Sequence, residues 1–362
     1  MKDLIDASLI LLLQRIACVI ELLEDVHANS RIQHKCQAVR EALDNFARNA
    51  QQARGLLAAS PSLVADIARQ YNAIAQQVYL IEQLVVGPLS RFGDDDERLS
   101  RLCERVCNEI GVNDIPVVVA AASQYFAALP PYGLIVTPPV ESRLLLNLPD
   151  LYHELGHHID GRGERLVGPR FEAALRDYLG KTEDEITRLS RPVDLHQFRD
   201  LIGNWFDWAL EVAADAFATL LVGPAYAWAN FHLMLRVPSI FAYSYTHPAD
   251  AARMDFILRL LASDARFRWD SEALETRWKG YREFPHPDAP TLYELLHPAE
   301  LFSSVLDDVR EALDRLRIEP DPLRPGTVPA ILNEGWHRLL NDPDDYRAWE
   351  TATISELVLA KE

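Results

Sequence analysis

The sequence predicts a mainly α-helical protein with a small β-sheet. Apolar residues recur at helical spacing through most of the chain. Three short apolar runs between residues 116 and 146 have strand-forming composition instead. Gly, Pro and Asn-Ser pairs punctuate the boundaries between these stretches.

In residues 1–90, Leu4-Ile5, Leu9, Leu12-Leu13, Ile16, Val19-Ile20 and Leu23 mark one apolar face. Similar patterns run from Ile32 to Leu57 and from Leu63 to Val86. Asn29-Ser30, Ser60-Pro61 and Gly87-Pro88 supply breaks, so an up-and-down bundle of about three helices is expected. Such a bundle can serve as a scaffold for the core that follows, or else recognise a regulatory partner, regulate access or dimerise. An acidic linker over 93–97 leads to a helix from about Glu97 to Ile110. Pro116–Val119, Gly133–Val136 and Arg143–Leu146 then read as strands. On position alone, the segment from Arg143 to Asn147 is the candidate edge for an added substrate strand.

The next helix carries the most informative residues. Pro149 can occupy its first turn and Asp150 complements the helix dipole, while Gly161 and Gly163 can end it after about three turns. Within it stands His153-Glu154-Leu155-Gly156-His157. Side chains four apart point the same way on a helix, so both imidazoles can reach one metal ion. Glu154 sits where it can take a proton from water at that ion.

A catalytic zinc site needs a third protein ligand and an open position. The best candidate is Glu211, in the helical stretch Trp205-Phe206-Asp207-Trp208-Ala209-Leu210-Glu211-Val212-Ala213-Ala214-Asp215. Its alanines let another helix approach closely, and a carboxylate inside so apolar a helix is costly unless paired or metal-bound. Asp215, one turn on, shares the face of Glu211 and is placed to hydrogen-bond a liganding imidazole and fix its tautomer. A metzincin arrangement is excluded, because Asp160 and Gly163 stand where that pattern needs glycine and a ligand.

His153-Glu154-x-x-His157 followed by Glu211-x-x-x-Asp215 resembles the gluzincin zinc metallopeptidases. The Glu-x-x-Ala-Asp form is most similar to the minigluzincins and the soluble relatives of the CAAX prenyl endopeptidases. The likeness covers about residues 110–260, and the flanks show none. It implies an α+β zincin-like catalytic core, placed at 91–265; the helical patterns on either side give an N-terminal helical bundle (1–90) and a C-terminal helical region (266–362). It further implies one Zn2+ held by His153, His157 and Glu211, with Glu154 as general base and Asp215 behind a ligand. The implied activity is hydrolysis of a protein or peptide substrate. Thr246-His247-Pro248, with Arg253 following, is similar to a His-Pro element of those endopeptidases, whose histidine binds the oxyanion. His286-Pro287 and His297-Pro298 repeat the dipeptide, and position after the Glu211 helix selects His247. Tyr243 and Tyr245 are alternative phenol donors, and Arg253 a further candidate contact for substrate or oxyanion. The rival from another class is a non-catalytic, zinc-stabilised helical interaction module, for which Glu154 would have no use.

Composition narrows the partners. With 54 acidic against 36 basic side chains, the chain carries a formal charge of −18, which argues against nucleic acid or an anionic membrane. Cys18, Cys36, Cys103 and Cys107 are too scattered for a disulfide framework, so a reducing, cytoplasmic setting is expected. No insertion into a membrane is expected either: prolines break the uncharged run 115–140, and Gly223-Pro224 divides the run 216–235 into two core helices.

Overall fold

The computed structural model describes residues 1–26, 30–121, 125–188, 195–284, 289 and 292–359. It is dominated by helices with one small sheet, as the periodicity predicts. The principal helices are α1 (Lys2–Asp25), α2 (Ser30–Ala59), α3 (Val64–Ile81), α4 (Asp94–Ile110), α5 (Pro149–Ile159), α6 (Pro169–Arg188) and α7 (Leu195–Ile202). They continue with α8 (Trp205–Val222), α9 (Pro224–Met234), α10 (Asp250–Ala262), α11 (Arg268–Arg282), α12 (Ala299–Leu316), α13 (Val328–Asn341) and α14 (Pro343–Leu359). Among the described residues, no helix is long and apolar enough to cross a membrane. Two compact units result: Met1–Glu104 with Ile115–Ser142, and Arg105–Asp114 with Arg143–Glu362.

In the first unit, α1–α3 bury Leu9, Ile16, Val39, Leu43 and Val78 in one core. The strands β1 (Val117–Ala120), β2 (Ala127–Leu129) and β3 (Leu134–Thr137) form a sheet in the order β1-β3-β2. β1 runs parallel to β3, with Val117 opposite Leu134, and β2 runs antiparallel to β3. Side chains alternate across a strand, so Val117, Val119, Leu134 and Val136 share one face and join the helical core. The outer edge of β1 is covered by α4: the Ser100 hydroxyl bonds both the N–H and the C=O of Val118, and Asp96 accepts from Ala120 N–H at 2.6 Å.

Several boundaries differ from expectation, each for a local reason. The acids over 93–97 form the first turn of α4, where Asp96 accepts from Gly93 N–H at 2.8 Å and the helix dipole favours negative charge. Gly87-Pro88 does not stop the chain at once: a π-turn over Glu82–Val86 leads into the short helical turn Gly87–Leu89. Of the three expected strands, the first two form. Arg143–Leu146 does not; Glu141–Arg143 is a 3-10 turn, Leu145 N–H donates to buried Glu350 at 2.8 Å, and Leu145 and Leu146 are buried as turn residues. An apolar run of that length has no periodicity to tell strand from packed turn. Ala127–Leu129 supplies the third strand instead. Asn29 and His286-Pro287 lie outside the described residues.

The second unit is helical. Gly223, at φ 73° and ψ −142°, makes the expected turn between α8 and α9. After α5 the chain takes one wide π-turn over Asp160–Glu164, with Gly163 at φ 100°. Asp160 accepts from Leu166 N–H at 2.7 Å and so closes that turn. The buried carboxylate of Asp308 on α12 accepts from Gly168, Arg170 and Phe171 N–H and thereby caps α6.

Candidate metal centre

The centre is built where α5 meets α8. Leu151, Leu155 and Ile159 bury one face of α5, which leaves His153 and His157 together on another. Gly156, between them, has no side chain to hold the helices apart: a Cβ there would come within 3.0 Å of Ala214 Cα and 3.3 Å of Ala214 Cβ. That contact brings Glu211, almost a full turn before Ala214, up to the histidines.

The imidazole nitrogens His153 Nε2 and His157 Nε2 are 3.1 Å apart. Glu211 Oε2 lies 3.4 Å from His153 Nε2, and Glu211 Oε1 lies 3.3 Å from His157 Nε2. Two helices thus deliver three donor atoms to one point, and His153, His157 and Glu211 could hold a metal ion. Glu154, between the two histidines in sequence, is buried at 8% exposure.

Behind His153 lies a buried polar network. Asp215 is completely inaccessible, and its Oδ1 sits 3.1 Å from His153 Nδ1. Arg253 grips the same carboxylate with two hydrogen bonds, Nε to Oδ2 at 2.8 Å and Nη2 to Oδ1 at 2.7 Å. Arg253, expected as a substrate or oxyanion contact, is therefore turned toward Asp215, with Nη2 also 4.0 Å from Glu211. The Tyr226 hydroxyl donates to Asp215 Oδ1 at 2.5 Å and lies 3.0 Å from His153 Nδ1.

These charges bias the site toward a cation. Burial opposes a charged His153, but hydrogen bonds and charge from Asp215 and Glu211 outweigh it and raise the ring to about 10. Burial likewise opposes ionisation of Glu211, yet His153 and His157 hold its carboxyl well below the usual range. Burial also works against Asp215, and the adjacent Arg253 guanidinium keeps it ionised far below that range. Tyr226 is pushed the other way, first by burial and then by Asp215, so its hydroxyl keeps its proton.

His247 is the one member of the expected oxyanion group whose ring flanks the donors, its Nε2 being 3.5 Å from Glu211 Oε2 with 52% of the side chain exposed. Its loop is fixed from both sides. Ser244 N–H donates to His247 C=O and Ser244 Oγ accepts from His247 N–H, both at 2.9 Å, while Trp208 Nε1–H donates to Ser244 C=O at 3.0 Å. Tyr243 instead packs on Trp208 and His297, and Tyr245 is 73% exposed. Among the described residues, no hydrogen bond or ion pair links either tyrosine to the three donors.

His297 has a different task. Its Nδ1 faces Tyr293 C=O at 2.8 Å, its Nε2 accepts from Ala249 N–H at 3.1 Å, and its ring stacks on Trp208. It anchors the loop that carries His247. Sequence reasoning missed this, along with Tyr226 and the demand for glycine at 156. Only Gly156 left a trace, as the small partner to the alanines of α8. His158, next to the second ligand, is buried with Nε2 3.0 Å from Asp114 C=O, on the side away from its neighbour's partners. Comparison of the chain with protein-family models, curated proteins and solved structures gave no match.

Proposed function

We propose that the chain is a zinc-dependent metallopeptidase of the gluzincin type, acting on protein or peptide substrates in the cytoplasm. The observation that carries this reading is the convergence of His153, His157 and Glu211 at mutual distances of 3.1–3.4 Å. Donors on zinc at 2.0–2.1 Å in a tetrahedron stand about 3.3 Å apart, so the donor set suits that ion. Zinc bound there would acidify a water molecule and polarise the scissile carbonyl.

The remaining work falls to side chains. Glu154 takes the proton from the attacking water and passes it to the leaving amine. His247, on the open flank beside Glu211, donates from Nε2 to the carbonyl oxygen as negative charge builds there. Asp215, held by Arg253, keeps a proton on His153 Nδ1, so that Nε2 offers its lone pair to the metal. The four cysteines are free, with Cys36, Cys103 and Cys107 buried, which accords with a reducing compartment.

The test combines zinc analysis with digestion of an unfolded protein. Wild type should carry one zinc and cleave in a chelator-sensitive way. Glu154→Gln should retain the zinc and lose turnover. Cleavage that survives in Glu154→Gln would refute the assigned base. One bound zinc with no cleavage and chelator-induced melting would favour a zinc-stapled interaction module.

A further inference from the structure

We infer that Tyr226 is a positioning residue of the metal centre: its buried hydroxyl, shared by Asp215 and His153, holds the His153 ring with Nε2 facing His157 and Glu211. The delivery of this side chain is tightly specified. The turn at Gly223 is clasped by Asn333, whose Nδ2 donates to Val222 C=O at 2.7 Å and whose Oδ1 accepts from Ala225 N–H at 2.9 Å. Pro224 then starts α9, and Tyr226 enters the site eleven residues after Asp215 with 2% of its surface exposed.

The direction of each hydrogen bond follows from chemistry. Asp215, ion-paired with Arg253 through two bonds, can only accept. The Tyr226 proton therefore goes to Asp215, and the phenol oxygen turns its lone pairs toward His153 Nδ1. That nitrogen faces two acceptors, at 3.0 and 3.1 Å, so it keeps its proton and Nε2 is the nitrogen left to give a lone pair to a metal. A single acceptor would let the imidazole rock about one N–H···O line; two acceptors fix its plane. The two rings lie within 13° of parallel, with centroids 6.2 Å apart. A buried phenol with a purely structural role needs any one partner. This one has two, and both belong to the centre.

The inference rests on the metal-binding half of the proposed function and not on hydrolysis, so its test uses no peptide. Cobalt(II) serves as the probe, titrated into metal-free wild type and Tyr226→Phe, which keeps the ring and loses the hydroxyl. The expected result is roughly 10- to 100-fold weaker cobalt binding. The visible ligand-field spectrum should also change, because the histidine is no longer held in one orientation. Equal affinities with superimposable spectra would overturn the role of Tyr226 and leave the metal centre standing. Wild type that takes up no cobalt would overturn both. Should Tyr226→Phe fail to fold, zinc-loaded wild type with nitrogen-15 histidine decides the matter by NMR. A cross-peak between the Tyr226 hydroxyl proton and His153 Nδ1–H is expected, and its absence defeats the inference.

Discussion

Gly156 packs directly on Ala214 between the two helices that bear the donors, where a Cβ on residue 156 would stand 3.0 Å from Ala214 Cα. The obstruction is backbone, which cannot swing aside like the end of a long side chain. Gly156→Val should therefore push α5 off α8 and cost about 1–3 kcal/mol of stability. Zinc retention should fall with it, since Glu211 and the histidines separate together. Thermal melting and metal analysis of the purified variant check both effects. A fully stable, zinc-loaded Gly156→Val would show that helix spacing does not set the ligand distances.

Zinc should stabilise the folded chain increasingly as its free concentration rises above its Kd. A ligand at about 100 times its Kd adds roughly 2.7 kcal/mol when it binds only the native state. Metal-free wild type should melt lower than the loaded form and recover on adding zinc. Glu211→Ala should melt at one temperature with or without zinc. Differential scanning fluorimetry across a zinc series measures this directly.

Stability should decline in mild acid through His297. Burial lowers this imidazole from its ordinary value of 6.5 to about 4, with partial compensation by the Tyr293 carbonyl. Its Nε2 must stay unprotonated to accept from Ala249 N–H. A depressed folded value means the contribution is complete above pH 6.5 and is lost as pH falls from there through about 4. At full protonation the loss is roughly 3 kcal/mol. Denaturant melts of wild type and His297→Gln between pH 7 and 4 should converge at the acid end.

Asp308 caps the N-terminus of α6, accepting from three backbone N–H groups. Asp308→Ala leaves those donors buried without that acceptor, for a cost of about 1–3 kcal/mol. Hydrogen exchange should speed up at Gly168, Arg170 and Phe171 while cobalt affinity stays at the wild-type value. Unchanged exchange there would show that the carboxylate is not what protects those N–H groups.

The helical pattern and the donor triad were legible in the sequence because each is written at short range. Four-residue spacing declares the histidine pair, and an acid among alanines declares Glu211 and Asp215. What could not be read depends on contacts between distant segments. Arg143–Leu146 looks like a strand until Glu350, from the far end of the chain, takes the Leu145 N–H. Arg253 and Asp215 pair across 38 residues, a partnership that no local pattern announces. Tyr226 gave no signal at all, since its meaning comes from the turn at Gly223 and the Asn333 amide that clasps it. His247 was selected over two other His-Pro pairs by chain position; the ring contact with Glu211 distinguishes it from His297.

Ser100 and Asp96 give the small sheet a property unrelated to chemistry. By occupying the N–H and C=O of Val118 and the N–H of Ala120, they take up hydrogen-bonding groups on that border that a stranger's backbone could otherwise pair with. The strand so bordered carries the apolar run Val117-Val118-Val119, the composition that makes an open edge a hazard. Ser100→Ala together with Asp96→Ala should turn a quiet border into a nucleus for clumping.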